Sequence, residues 1–524
     1  MFRKTASGIL LFLLLVSTLT LTFNIKPVKA DWTWTETIYI RADGSIDPPT
    51  APISTVDNIT YTLTGNIYDE IVVERDNIVV DGAGYTVEGL GTGIGIRLEG
   101  RSNVTIRNTT IKNFIYGILL YESSNNSIVG NNIANNGLGI ELRYSSNYNN
   151  ISGNNLTENG DYGIGLFSSS NNSISGNNIA ANNCDGIGLF SSSNNSIVGN
   201  NIKNNWIGIG LRDSSNYNSI TENNIANNRD GIWLAYSSSY NSIFGNTFTN
   251  NGPFVYYSYQ NSVENNTVNG RPLVYLEGVS NYTVSDAGQV ILVRCENIRV
   301  EGLNLSRTTV GIELWETSNS TISGNKITNN VYYGILLHSS CNYNSISGNN
   351  ITNNYRGIEL YYSSNNSISR NNITANNDDG ILLEDSSNNS ITENNIKNNT
   401  YGIALRYSSN YNSMVGNNIT NNYSGIRLHY SSSNSISGNN ITNNYDGIWL
   451  YSSSSNSISG NNITNNWYGI RLSSSSNNVI YHNNFIDNTQ QVGIQTSGYA
   501  NVWDDGYPSG GNYWSDYAGV DEKS

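Results

Sequence analysis

A tetrapeptide of the form Gly-Ile-x-Leu recurs through most of this chain, and its spacing restricts the fold more than any other feature. Its copies fall into two runs, and within each run successive copies begin 22 to 24 residues apart. They begin at Gly95, Gly117, Gly139, Gly163, Gly186, Gly208 and Gly231, and then at Gly311, Gly334, Gly357, Gly380, Gly402, Gly425, Gly447 and Gly469. A fixed period of this length is typical of solenoid proteins. Leucine-rich repeats share the period, but their Leu-x-x-Leu-x-Leu spacing and helical segment are missing here.

The apolar residues within one unit indicate strands. Ile174 is followed by Ile179, then by Ile187 and Leu189, and Ile197 opens the next unit. These intervals predict three short strands per coil, each pointing one or two aliphatic side chains inward. Such short strands gain hydrogen-bond partners only when each coil stacks on the previous one, about 4.8 Å away. We therefore predict an all-β fold, a single-stranded right-handed parallel β-helix with three short strands per coil.

Asparagine and serine dominate the segments between these strands, which raises the alternative of a disordered low-complexity chain. The regular aliphatic positions argue against disorder because they can build a core. Asparagine tolerates the left-handed backbone angles of tight corners. Identical asparagines at one register can also form hydrogen-bonded ladders along the solenoid. We therefore assign the asparagines a mainly structural role.

The repeat is interrupted between Gly231 and Gly311, and this interruption divides the chain. Pro253 and Pro272 lie within it and predict a protruding loop or bend. The residues before the second run resemble those before the first, so one interpretation is two blocks joined in register. The predicted organisation is a signal peptide over 1–30, an N-terminal cap over 31–75, a first β-helical block over 76–250, irregular coils with a loop over 251–310, a second block over 311–490 and a C-terminal cap over 491–524.

The first thirty residues have the three parts of a secretory signal. Arg3 and Lys4 precede an apolar stretch from Gly8 to Phe23, and Val28-Lys29-Ala30 resembles a cleavage site. A retained membrane anchor is the alternative. We predict a secreted, extracellular or cell-surface protein without a membrane span in the mature chain. The formal net charge of -14 disfavours nucleic acid as a partner.

Segments at both ends of the chain resemble exported NosD-like β-helix proteins of the pectin-lyase-like superfamily. They are the stretch from Thr37 to Ile46, the strand entry from Asn77 to Gly84 and the tail from Gly510 to Tyr517, together with the Asn/Ser coils. The resemblance implies a β-helix with the carbohydrate-binding and sugar-hydrolysis repeat. It leaves the activity open, because the family includes polysaccharide enzymes, surface proteins and a copper-enzyme maturation factor. The family pattern usually continues past this tail, so either the lower cap is incomplete or a surface anchor is missing.

The metal ligands that a copper role would require are sparse. The histidines are His338, His429 and His482, and the first two are four coils apart, too far to share an ion. We therefore expect no cofactor, with copper disfavoured. Calcium at Asp-Gly corners stays open, although aspartate before glycine is also ordinary turn chemistry. The aspartates concerned are Asp185, Asp230, Asp379 and Asp446.

One register on the outer face is rich in aromatic and charged residues. The fourth residue after each glycine of the second run should point outward and stack about 4.8 Å from its copy in the next coil. Such a column suits an extended polysaccharide or cell-surface glycan, because rings stack on sugar faces and charges bond hydroxyl groups. An ordinary β surface is the alternative. The predicted carbohydrate-binding residues are Trp315, His338, Tyr361, Glu384, Arg406, His429 and Tyr451, with Trp449 on the same face.

Catalysis would need a closely spaced pair of carboxyl groups or a base beside an acid. Asp379 and Glu384 are too far apart along one strand, whereas Glu359 and Asp379 lie on neighbouring coils; Arg406 is a candidate lyase base. The polygalacturonase motifs that would accompany such residues are absent. We favour non-catalytic polysaccharide binding. The alternatives are a polysaccharide lyase or glycoside hydrolase, a structural or adhesive rod, and a NosD-like copper-enzyme maturation factor.

Overall fold

The computed structural model describes residues 36–495, 500–506 and 508–519. The folded unit begins at Thr37, so the predicted signal peptide lies outside the described residues. All regular elements in these ranges are strands. Within the same ranges we find no helix whose length and apolar character would let it span a membrane. The prediction of an all-β parallel β-helix is confirmed.

The strands form two solenoids, and each has a long sheet, a serine sheet and an asparagine sheet. In the N-terminal solenoid the strands pair in parallel with their copies in adjacent coils, apart from two antiparallel pairs near the N-terminus. Its long sheet comprises Ile38–Ile40, Ile46–Asp47, Ile71–Val73, Ile94–Glu99, Tyr116–Tyr121, Leu138–Arg143, Ile164–Phe167, Asp185–Phe190, Ile207–Arg212, Asp230–Ala235 and Pro253–Tyr256. Its serine sheet comprises Ile53–Ser54, Thr60–Leu63, Val79–Asp81, Thr105–Arg107, Ser127–Val129, Asn150–Ser152, Ser173–Ser175, Ser196–Val198, Ser219–Thr221, Ser242–Phe244 and Ser262–Glu264. Its asparagine sheet comprises Thr86–Glu88, Thr110–Lys112, Asn132–Ala134, Asn155–Thr157, Asn178–Ala180, Asn201–Lys203, Asn224–Ala226, Thr247–Thr249 and Thr267–Val268.

The C-terminal solenoid repeats this plan. Its long sheet comprises Arg271–Glu277, Gln289–Val293, Val310–Trp315, Tyr333–His338, Arg356–Tyr361, Asp379–Glu384, Tyr401–Arg406, Ser424–His429, Asp446–Tyr451, Tyr468–Ser473 and Gln490–Ile494. Its serine sheet comprises Thr283–Val284, Arg299–Glu301, Thr321–Ser323, Ser345–Ser347, Ser367–Ser369, Ser390–Thr392, Ser413–Val415, Ser435–Ser437, Ser457–Ser459 and Val479–Tyr481. Its asparagine sheet comprises Asn304–Ser306, Lys326–Thr328, Asn350–Thr352, Asn372–Thr374, Asn395–Lys397, Asn418–Thr420, Asn440–Thr442, Asn462–Thr464, Asn484–Ile486 and Tyr513–Trp514.

The repeated aliphatic residues fill the interior, and asparagine ladders satisfy the buried polar groups at the corners. Ile403 and Leu405 are fully buried, as are their copies in neighbouring coils. At one corner the backbone N–H and the Nδ2 of Asn394 both donate to Asn417 Oδ1, each over 3.0 Å. Asn417 Nδ2 donates in turn to the carbonyl of Ile391. Because unpaired buried amides are costly, these ladders support the packing of the core.

The glycine of each repeat marks a close approach between coils. A Cβ on Gly402 would lie 2.5 Å from the carbonyl oxygen of Gly425 and 2.7 Å from Ile419 Cγ2. No side chain fits between these atoms without a shift of the backbone. This contact explains why glycine recurs at the same point of the coil.

The two solenoids join through a reversal of chain direction. Val268, at the end of the N-terminal solenoid, pairs antiparallel with Arg271, the first strand residue of the C-terminal solenoid. The interpretation of two blocks joined in register is therefore wrong. The stretch 251–310 contains paired strands of both solenoids, and Pro253 and Pro272 lie within strands.

The last long-sheet strand of the N-terminal solenoid contacts the outer face of the C-terminal solenoid. Val255 donates its backbone N–H to Glu313 Oε2 over 3.3 Å, and Gly252 donates to Thr309 Oγ1 over 3.2 Å. These side chains pair part of a strand edge that would otherwise be open. The C-terminal solenoid therefore caps the end of the N-terminal one.

Residues 500–506 and 508–519 cover the other end of the C-terminal solenoid. Val502 forms a β-bridge with Val479, and Trp514 stacks on Phe485 with ring centroids 4.5 Å apart. Trp503 packs beside Trp514 against the core. Both tryptophans therefore contribute to cap packing.

Candidate functional site on the outer face of the C-terminal long sheet

The structure stacks the predicted outward residues one above another. Trp315 pairs with His338, Tyr361 with Glu384, and Arg406 with His429 in successive parallel strands, and the remaining steps follow the same register. We name this set the central column; it consists of Trp315, His338, Tyr361, Glu384, Arg406, His429 and Tyr451.

The upper two residues of the central column are buried where the N-terminal solenoid docks. Trp315 is 1% exposed and His338 is 3% exposed. The rings of Tyr257 and Tyr259 lie 5.9 and 5.6 Å from the ring of Trp315. Neither Trp315 nor His338 is accessible to a ligand in this structure. The accessible part of the outer face therefore begins at Tyr361, the next residue of the central column.

Below this point, rings and guanidinium groups alternate across the sheet. The ring of Trp449 lies between Arg427 and Arg471, whose Cζ atoms are 4.4 and 4.7 Å from its centroid. His429 stacks on Tyr451 with centroids 5.0 Å apart. These residues are partly buried and form the floor of the accessible face.

Two of the predicted catalytic residues, Glu359 and Asp379, contact one guanidinium group. Arg356 lies 2.7 Å from Glu359 Oε2 and 3.2 Å from Asp379 Oδ2. Arg406 contacts the same Asp379 carboxylate over 3.1 Å. Glu384 follows Tyr361 in the central column and has no ion pair among the described residues.

Burial controls the titration of these acids. It raises the pKa of Asp379 to about 7, although the charges of Arg406 and Arg356 act in the opposite direction. Burial also raises the pKa of Glu359, and Arg356 again opposes the shift. Because guanidinium groups already contact both carboxylates, neither is free to position a water molecule.

The aspartates that precede glycine have protein partners. Asp185 pairs with Arg212, Asp379 with Arg406, and Asp446 with Arg471 at 3.5 Å. Asp230 Oδ2 accepts a hydrogen bond of 2.9 Å from Tyr332 across the junction of the solenoids. These contacts account for the recurrence of aspartate at this register through ion pairing and hydrogen bonding.

The donor set does not fit a copper site. No group of three His, Cys, Asp or Glu side chains with metal-binding geometry occurs in 36–495, 500–506 or 508–519. His338 is buried against Glu313, and Cys341 faces the core, where its Sγ occupies a position filled by serine or threonine Oγ in adjacent coils. His482 lies apart, beside the C-terminal tail.

Two further aromatic columns border the accessible face and were missed in the sequence. The leading column lies two residues before the glycine of the coil, and the trailing column lies five residues after it. Their rings are between 41% and 50% exposed. The leading column consists of Tyr355, Tyr423, Tyr445 and Trp467, and the trailing column consists of Tyr362, Tyr407 and Tyr430.

The last three rings of the leading column run nearly parallel from coil to coil. Those of Tyr423 and Tyr445 are 5.1 Å apart with an angle of 9° between their planes, and Trp467 follows at 6.1 Å and 6°. These positions lie at fixed offsets from the glycine of each coil, as the central column does, so the same sequence repeat locates them. We use the name binding face for the outer surface of the long sheet from Arg356 to Ser473 together with its two bordering columns.

The sequence profile of the family described as "Periplasmic copper-binding protein (NosD)" matches residues 55–230, 178–286 and 375–519. These segments cover more than half of the chain. The chain belongs to the NosD family. A profile described as "Right handed beta helix region" matches residues 288–441 of this NosD-family protein. The NosD resemblance seen in the sequence is therefore confirmed. The comparison with curated proteins found no match.

Several solved structures have a similar fold at low identity. A periplasmic alginate epimerase is 15% identical, with 70% of this chain and 78% of that chain covered and a TM-score of 0.30. The A-module of a mannuronan C-5 epimerase from Azotobacter vinelandii is 11% identical, with 83% and 89% covered and a TM-score of 0.25. The Dettilon tailspike protein is 17% identical, with 61% and 58% covered and a TM-score of 0.34. At these values the likenesses carry no functional conclusion for the NosD-family chain.

Proposed function

We propose that this NosD-family protein is exported and binds a polysaccharide along the binding face without modifying it. The central column, from Tyr361 through Glu384, Arg406 and His429 to Tyr451, supplies polar and aromatic groups at every coil. Trp449 adds a second ring on the same floor. Trp315 and His338 are left out of the proposed surface because they are buried.

The observation that carries this proposal is the pair of half-exposed aromatic columns. Large exposed apolar surfaces are uncommon on soluble proteins unless they contact a partner. Here rings flank both ends of the strands Arg356–Tyr361 and Ser424–His429 and one end of three further strands, and the groups between them are charged or able to form hydrogen bonds. An extended glycan offers the matching combination of apolar ring faces and hydroxyl groups along a repeating chain.

Binding without catalysis fits the state of the acidic residues. Glu359 and Asp379 both contact Arg356, and Asp379 also contacts Arg406. A hydrolase needs one carboxyl group beside the leaving oxygen and a second beside water or the sugar carbon. We therefore assign this cluster to the support of the sheet. Copper is not part of the proposal, because the residues present do not fit it.

Affinity electrophoresis of the folded chain over acidic and neutral polysaccharides tests the proposal. We expect retardation by at least one polymer, and Tyr445→Ala should weaken it about fivefold if the lost ring contact contributes roughly 1 kcal/mol. Tyr217→Ala is a matched control, because Tyr217 stacks on Tyr240 at 5.1 Å and 9° but lies on the N-terminal solenoid. An absence of retardation by every polymer would contradict the proposed function.

Reducing-sugar release and the formation of unsaturated sugar products are measured on the same panel. We expect neither product. Turnover of any polymer would replace the binding proposal with the lyase or hydrolase alternative, and Asp379→Asn would then be the first variant to assay.

A further inference from the structure

Five side chains on the binding face form an alternating stack of rings and cations. Arg427 Cζ lies 4.8 Å from the ring centroid of Tyr401 and 4.4 Å from that of Trp449. Arg471 Cζ lies 4.7 Å from Trp449 and 5.5 Å from Tyr468. Guanidinium groups stacked on aromatic rings keep their in-plane N–H donors available at the ring edges.

The arginines of the binding face differ in their carboxylate partners. Arg356 and Arg406 contact Asp379 directly, whereas Arg471 reaches Asp446 only at 3.5 Å. Arg427 forms no ion pair with any carboxylate of the described residues, and its Nε has no hydrogen-bond partner there.

Further polar atoms at the same place lack protein partners. They are Trp449 Nε1, Arg471 Nε and Asp446 Oδ1, all with almost no exposed surface. Together with Arg427 Nε, three of the four are hydrogen-bond donors. Buried donors usually have a partner, so the hydrogen bonding of this stack is left incomplete by the described residues.

The carboxylates around Arg427 are engaged by other arginines. Asp379 contacts Arg406, and Asp446 lies 3.5 Å from Arg471. Burial and the charges of Arg427 and Arg406 lower the pKa of His429, so this ring does not add a second charge near neutral pH. Arg427 is therefore a guanidinium group of the binding face whose charge is balanced by no ion pair among the described residues.

We propose that the Arg427–Trp449–Arg471 stack recognises the anionic group of an acidic polysaccharide, either the carboxylate of a uronic acid or a sulfate ester. This inference rests on the proposed function and narrows its ligand class. The anion accepts hydrogen bonds from the two guanidinium groups, as planar or tetrahedral oxyanions do. The adjoining sugar rings extend toward the leading column at Tyr445 and Trp467.

The test compares polymers that differ in charge. Affinity electrophoresis is run with polygalacturonate and alginate as carboxylated polymers, dextran sulfate as the sulfated polymer, and dextran and galactomannan as neutral ones. Single-stranded DNA forms a separate arm, because phosphates also bind arginine. We expect retardation by a carboxylated or sulfated polymer to exceed that by neutral polymers about tenfold and to weaken as salt rises.

Variants connect that preference to the stack. Arg427→Gln should lower the affinity for the acidic polymer about tenfold, and by a clearly larger factor than it lowers the affinity for any neutral polymer. Arg427→Lys keeps the charge and should retain part of the affinity. Arg299→Gln is the control, since Arg299 is exposed on the serine sheet and pairs with Glu301. Circular dichroism verifies that each variant is folded.

The outcomes separate this inference from the proposed function. Equal retardation by neutral and acidic polymers, or an unchanged affinity of Arg427→Gln, would overturn the anion site and leave polysaccharide binding intact. Stronger retardation by DNA than by every glycan would also overturn it. Retardation by no polymer would remove both. Carboxylated and sulfated polymers, compared directly, identify which anion is bound.

Discussion

Asp379 and Arg406 form an ion pair between successive coils, with Arg406 Nη2 3.1 Å from Asp379 Oδ2 and no exposed surface on the aspartate. Asp185 and Arg212 repeat this arrangement in the N-terminal solenoid. In both pairs the aspartate precedes the glycine of its coil, and the arginine lies four residues after the next glycine. In these two coils the buried aspartate before the glycine is thus paired with an arginine of the following coil.

Removal of the arginine from this pair should destabilise the fold. We expect Arg406→Gln to lower the free energy of unfolding by about 3 kcal/mol, because a buried carboxylate loses a partner. Because Arg356 still contacts Asp379, the expected loss lies at the lower end of the range for a broken buried ion pair. Thermal unfolding followed by circular dichroism measures the change. Arg370→Gln should alter stability by less than about 1 kcal/mol, since Arg370 and Glu393 are both exposed; equal shifts would contradict this account.

The buried aspartates should make stability depend on pH. Burial raises the pKa of Asp230 and of Asp379 to about 7, from the ordinary aspartate value of 3.8. Between these values the folded state binds more protons than the unfolded state, so this contribution to stability is full below about pH 4 and is lost as the pH rises through 7. We expect a higher unfolding temperature at pH 5 than at pH 8, apart from the opposite effect of exposed acids. Asp230→Asn should reduce the slope, and an unchanged slope would show that Asp230 does not contribute.

An asparagine within a buried ladder should matter more than its exposed neighbour. Asn417→Ala removes the acceptor of two hydrogen bonds from Asn394 and leaves the carbonyl of Ile391 without its donor. We expect a loss of about 3 kcal/mol. Asn418→Ala, which affects only the exposed ladder, should cost less than about 1 kcal/mol. Unfolding midpoints of the two variants are measured side by side, and equal losses of stability would contradict the role assigned to the buried ladder.

The glycine of the repeat should tolerate no side chain. Gly402→Ala places a Cβ 2.5 Å from the carbonyl oxygen of Gly425, so the two coils must separate. Gly438→Ala is the comparison, because a Cβ there meets no atom within 4 Å and only the backbone angle of φ +63° is unfavourable. We expect a much lower unfolding temperature for Gly402→Ala. Similar values for both variants would show that the coils can relax around the added methyl group.

The periodicity of the sequence predicted the strands and the central column, because each coil repeats the same inward and outward positions. It did not predict the reversal between Val268 and Arg271, since a break in a repeat carries no sign of chain direction. The burial of Trp315 and His338 follows from that reversal and was missed with it. The inward and outward alternation of side chains that begins at the isoleucine and leucine of each coil does not extend to the leading column, which lies before the glycine. Tyr445 and Trp467 nevertheless recur with the same period as the glycine.

Each coil between Arg356 and Ser473 pairs only with the coil before it and the coil after it. The binding face is therefore extensible, and its length is set by the number of coils. Deletion of residues 402–424 would join Tyr401 to Gly425, bring residues 425–429 beside the strand Asp379–Glu384 and shorten the face by about 4.8 Å. The junction with the N-terminal solenoid and the C-terminal cap would keep their present neighbours. Under the proposed function, whole-coil insertion or deletion therefore adjusts in discrete steps the number of sugar units that the face contacts.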